Sequence, residues 1–83
     1  MYYRIKKDKR EELQKGKTLT YIAEKCGYSR QYTTYVFNGK MLATEESAIK
    51  ILKTLAEDSL DIAVEINQKG IKETLKHFFE EIE

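Results

Sequence analysis

Eighty-three residues make one small domain, which at this length buries only about 60% of the surface its unfolded chain exposes and holds one modest core. The net charge is +1, yet residues 1–40 hold ten Lys/Arg against four Asp/Glu and residues 41–83 hold five against ten, so a basic half adjoins an acidic one. A single cysteine, Cys26, and a single histidine, His77, exclude an internal disulfide and a four-ligand zinc site, and no stretch approaches the roughly 18 apolar residues of a membrane span.

The chain has no proline and four glycines, Gly16, Gly27, Gly39 and Gly70, so helix-compatible segments are separated by single breakers. An all-α fold of five or six helices is expected. Asp8 followed by Glu11 has the form of a capping pair and places a first helix near Asp8; the alternative is a start near Tyr3 and a run to Lys15, ended either way by Gly16. Thr18 caps a second helix whose Leu19, Ile22, Ala23 and Cys26 fall at i, i+3, i+4 and i+7, the spacing of one buried stripe. Cys26 reads as a small buried hydrophobe. Gly27 stands where the chain must turn sharply.

Ser29 caps a third helix. At about 100° per residue, Thr33, Val36 and Phe37 point one way while Gln31, Thr34, Tyr35 and Asn38 point the other, with Arg30 at the edge. This outer face carries amide, hydroxyl and guanidinium groups and no carboxylate. Gly39 ends the helix.

Thr44 caps a fourth helix with Glu45 and Glu46 in its first turn, where the helix dipole favours negative charge, and with Ala48, Ile49, Ile51, Leu52, Leu55 and Ala56 as a broad apolar face. Asp58 and Ser59 mark the next start. Leu60, Ala63 and Val64 on one side and Ile62 and Ile66 on another carry a fifth helix to Gly70, and two apolar sides imply burial between neighbours. A sixth helix places Ile71, Leu75, Phe78, Phe79 and Ile82 on one stripe. No Ser/His spacing suggests a nucleophile and its base, no glycine-rich phosphate loop is present, and neither an enzyme, a cofactor nor a catalytic residue is expected.

The run Ile22-Ala23, Gly27, Ser29-Arg30-Gln31, Val36 and Asn38-Gly39-Lys40 resembles the helix-turn-helix domain of the phage repressor class, the Cro/C1 (XRE) type, over roughly residues 5 to 57. Tyr28 and Thr33 depart from it, standing where an aliphatic residue is commoner. The resemblance implies a sequence-specific regulator of transcription that binds double-stranded DNA. It divides the chain into a DNA-binding unit, residues 1–58, and a C-terminal helical extension, residues 59–83, within one compact body. Ser29, Arg30, Gln31, Thr34 and Tyr35 would read bases. Lys17, Thr18, Tyr21, Asn38 and Lys40 would meet the backbone, with Lys6, Lys7, Lys9 and Arg10 either extending along the phosphates or only solvating the first helix. Since one reading helix contacts too few base pairs to select a site, a homodimer on a palindromic operator is expected. Ile71, Leu75, Phe78, Phe79 and Ile82 are the candidate dimer contact; the alternative is that this stripe folds back to complete the core. A short Cro-like phage or mobile-element repressor in a bacterial cytoplasm fits. The alternatives are an antitoxin-type autorepressor that also binds a toxin, or an adaptor whose third helix binds protein.

Overall fold

The computed structural model describes residues 1–83 as six helices with a small antiparallel sheet: β1 (Tyr2–Ile5), a 3-10 turn (Lys7–Lys9), α1 (Arg10–Gln14), α2 (Leu19–Cys26), α3 (Arg30–Phe37), β2 (Ala43–Thr44), α4 (Glu45–Ala56), α5 (Leu60–Lys69), α6 (Ile71–Phe78) and β3 (Phe79–Ile82). The class is all-α. Five of the cap signals act as read. The side chains of Thr18, Ser29, Thr44 and Ser59 each accept from a backbone N–H three residues on, and Gly27 closes α2 at φ 77°.

Both ends of the chain differ from the expectation. Residues 2–5 form a strand, and Asp8 caps nothing, since α1 begins only at Arg10 with no side-chain cap. In β1 the burial alternates, with Tyr3 and Ile5 inside and Tyr2 outside, the period-2 pattern of a half-buried strand. The sixth helix likewise stops at Phe78 rather than Ile82, and Phe79–Ile82 runs extended. The two corrections have one cause. β1 sits between β2 and β3, with Tyr3 opposite Ala43 on one side and with Arg4 opposite Glu80 and Ile5 opposite Phe79 on the other. Each end is a strand because the other end, at the far terminus of the chain, supplies its ladder.

One core cluster runs through the molecule, from Ile5 and Leu13 past Ile22, Val36 and Phe37 to Ile51, Leu52, Leu55, Ile62, Leu75, Phe78 and Phe79. Full burial of each large apolar side chain contributes about 1.5–3 kcal/mol. The three buried polar residues are satisfied locally: Thr33 Oγ1 donates to the Ser29 carbonyl, Thr74 Oγ1 to the Gly70 carbonyl, and Ser59 accepts from Ile62. At the rim Glu45 accepts from both Tyr3 and Lys72, at 3.2 and 2.6 Å. Those bonds hold its carboxyl below the usual carboxylate range, while burial and the same carboxylate push the Tyr3 phenol up.

The α5 expectation also needs correction. Only the Ile62 side is covered, whereas Leu60 and Val64 are 78% and 42% exposed. Of the proposed dimer residues, Leu75, Phe78 and Phe79 are each 1% exposed within one chain, and only Ile71 and Ile82 keep partial exposure. The fold-back alternative describes their placement. Phe79→Ala is expected to lower the unfolding free energy by about 3–5 kcal/mol, the usual loss for a buried aromatic. A denaturant midpoint close to wild type would show that β3 does not close the core.

Candidate nucleic-acid interface

Leu19, the first residue of α2, follows a loop held by Gln14, whose side-chain amide donates to the Lys17 carbonyl at 2.7 Å. Ile22, Ala23 and Cys26 are then buried, so the inner stripe of α2 is spent against α3 and α4. Burial raises the pKa of the Cys26 thiol. Between α2 and α3 only Gly27, Tyr28 and Ser29 intervene. Gly27 donates its N–H to Glu24 and Tyr28 to Ala23, closing the helix as the left-handed residue allows.

α3 is two-sided. Thr33, Val36 and Phe37 are at most 1% exposed, while Ser29, Arg30, Gln31 and Asn38 are open to solvent and Thr34 and Tyr35 half-covered. Thr33 keeps its aliphatic-like place by returning its hydroxyl to the chain. Tyr28 lies against the core, with its ring 5.1 Å from that of Tyr32 in an edge-to-face pair and the Lys50 ammonium 5.1 Å over its centroid. The two departures from the expected aliphatic pattern are thus accommodated by a hydrogen bond and by aromatic contact.

On the outer face Gln31 Nε2 donates to the Tyr35 hydroxyl at 3.3 Å, and Thr34 Oγ1 donates to the Arg30 carbonyl at 2.8 Å. Arg30, Lys17 and Lys40 form no salt bridge, in contrast to Lys69, Lys72 and Lys76 of the acidic half, each of which has a carboxylate within 4 Å. An unpaired cation beside a carboxylate-free helix face concentrates positive potential.

Three predicted site residues carry commitments within the chain, of which only that of Thr18, the cap of α2, was legible in the sequence. The Tyr21 hydroxyl donates to Asp58 Oδ2 at 2.6 Å, and this bond raises its pKa; Lys25 is drawn to Asp58 and Glu57 beside it, with its own pKa raised by the Asp58 charge. A phosphate approaching Tyr21 meets those carboxylates. Thr18 spends its oxygen on the Tyr21 N–H. Asn38 Oδ1 accepts from the Arg10 guanidinium, which ties the end of α3 to the start of α1. Sequence reasoning left Arg10 unplaced, and Lys50 unassigned, because both reach this region from elements distant in the chain.

No group of three or more His, Cys, Asp or Glu is placed to hold a metal ion, and no helix is long and apolar enough to cross a membrane. A family model described as helix-turn-helix matches residues 6–62. No curated protein and no solved structure matches the chain. The turn itself is open to test. A side chain at Gly27 would have room, with only Lys50 Nζ at 4.0 Å, so Gly27→Ala should cost about 1–2 kcal/mol through backbone strain alone. Thermal melts resolve that loss, and an unchanged melting temperature would mean that α2 and α3 do not depend on the left-handed turn.

Proposed function

The chain belongs to the Cro/C1-type helix-turn-helix family of DNA-binding regulators, and on that premise we propose that it is a sequence-specific repressor of the Cro-like kind, from a phage, prophage or other mobile element, which reads the major groove with α3 as a homodimer. The observation that carries this reading is the division of α3. One face is sealed in the core, and the other offers Arg30, Gln31 and the half-covered Thr34 with no carboxylate among them.

An α-helix fits the major groove, where each base pair shows a distinct pattern of donors, acceptors and methyl groups. Gln31 suits adenine, since its amide can donate to one ring atom and accept from the exocyclic amine. Arg30 suits guanine or a phosphate. Each good bidentate contact contributes about 1–3 kcal/mol of discrimination. Ser29, at the entry of α3, and Tyr35, linked to Gln31, complete the reading surface. Lys17 and Lys40 flank it as phosphate contacts, with Thr18 and Asn38 offering polar groups between them; such contacts fix register without reading sequence. Tyr21 contributes to this side only if its bond to Asp58 yields.

Dimensions support the dimer. Half-sites in successive major grooves are about 34 Å apart, and the protomer, which carries one reading helix, measures 32 × 29 × 22 Å. Two copies are needed to place two reading helices one turn apart. With Leu75, Phe78 and Phe79 internal, the contact we propose uses what residues 59–83 leave to solvent, namely Leu60 and Val64 on α5 with Ile71 and Ile82 at their partly exposed positions, the buried three holding this segment from behind.

Gln31→Ala is expected to relax base preference at one operator position by about 1–3 kcal/mol while leaving binding to random duplex intact, and Lys40→Ala to weaken all duplexes alike with a salt slope shallower by about one. Duplex titration against salt reads both, and equal losses on specific and random DNA from both changes would overturn the division of roles. A double change, Leu60→Glu with Val64→Glu, should give a folded monomer by light scattering that has lost operator affinity; a retained dimer would place the contact elsewhere.

A further inference from the structure

A cleft of about 330 Å³ opens where the N-terminal strand crosses the end of α3, and Arg4, Lys7, Arg10, Asn38, Gly39 and Glu80 line it. We infer that this cleft is a second DNA-backbone site, in which Lys7 and Arg4 hold a phosphate of the duplex beyond the reach of the reading helix. The inference rests on the DNA reading above and extends its footprint onto the sheet.

Three observations carry it. Three cations from three different elements, β1, the 3-10 turn and α1, converge here against one carboxylate. Lys7 is exposed and has no ion-pair partner, so its charge is available. The cleft is also continuous with the proposed interface, since Asn38 and Gly39 are both its wall and the end of α3. Gly39, at φ 76°, turns the backbone beside the Arg4 side chain, and a Cβ there would stand in ordinary contact with Arg4 Cδ at 3.5 Å.

Donors remain for an anion. Arg10 donates to Asn38 Oδ1, which leaves the Asn38 amide N–H groups free to donate. Arg4 uses Nε on Glu80 Oε1 at 2.9 Å, across the β1–β3 register, and its terminal nitrogens remain. Arg10 is here a positioning residue. Glu80 is the opposing charge, so it sets how strongly the cleft attracts a phosphate. A free small anion would be bound equally by a cleft that plays no part in DNA contact, and the test separates the two through the DNA itself.

The experiment is titration of a random-sequence duplex against salt for the wild type and for Lys7→Ala, Arg4→Ala, Glu80→Gln and Lys40→Ala. Lys69→Ala, on α5 and paired with Glu65, serves as the change of equal charge outside the cleft. Counterion release makes the salt slope fall by about 0.9 for each phosphate that the protein no longer neutralises. Lys7→Ala and Arg4→Ala should therefore each give a slope shallower by about one and binding several-fold weaker, while Glu80→Gln should bind several-fold tighter than wild type. A role for Arg4 in stability alone predicts no such gain at Glu80→Gln. The inference is overturned if Lys7→Ala and Arg4→Ala change the slope no more than Lys69→Ala does, or if Glu80→Gln binds as wild type, while Lys40→Ala still loses affinity. If the wild type fails to bind duplex at low salt, the DNA reading itself falls, and that outcome is distinct because no variant then matters.

Discussion

A helix of eight residues does not hold its shape alone in water, where isolated helices shorter than about 12–15 residues are marginal. α3 exists because Thr33, Val36 and Phe37 are taken out of solvent by the elements behind it. The rest of the molecule answers to that dependence. α2 is equally short and equally dependent, so its stripe of Ile22, Ala23 and Cys26 and the left-handed Gly27 make the pair one unit. A reading surface needs its other half wet and free of carboxylates, and the same amphipathic division that folds α3 leaves that half exposed.

The sheet secures this unit from the side. β1 lies against α3 and the C-terminal strand lies against β1, so Phe79 and Tyr3 meet edge to face with ring centroids 6.4 Å apart. Arg10 reaches across to Asn38. The two termini thus brace the end of α3, while α4 and α6 fill the interior behind it. Of the buried core cluster, only Ile22, Cys26, Val36 and Phe37 belong to α2 and α3, which shows how far the support extends beyond the turn motif itself.

Charge is organised on a separate principle. Exposed ion pairs contribute little to stability, and those of this chain matter more for where they leave positive potential. Lys69, Lys72 and Lys76 are answered by Glu65, Glu45 and Glu73. Lys7, Lys17, Arg30 and Lys40 are not answered. The pairing does not follow the two halves of the sequence, since Arg4, Lys9, Lys15 and Lys25 are also answered, so the cations left unpaired around α3 are a local feature of that helix and its flanks, where they concentrate positive potential.

Periodicity and caps in the sequence alone determined the middle of the molecule: the α2 stripe, the Gly27 turn, the Ser29 and Thr44 caps, and which side of α3 faces outward. Those features are local, with signals that lie within a turn or two of the residues they govern. The ends were beyond its reach, although Tyr3 and Ile5 alternate with polar neighbours. An extended segment declares itself only through a partner strand, and here the partner stands at the other terminus. For the same reason Phe78 and Phe79 read as one helical stripe, either a dimer contact or a return into the core, whereas the tertiary structure ends the helix between them and buries both. On α5 the exposed apolar groups are Leu60 and Val64, because only the packed structure decides which of its two apolar sides is covered. Tyr21 and Asn38 were legible as polar groups near α3, but their commitments to Asp58 and Arg10 join residues far apart in the sequence, which no spacing along the chain encodes.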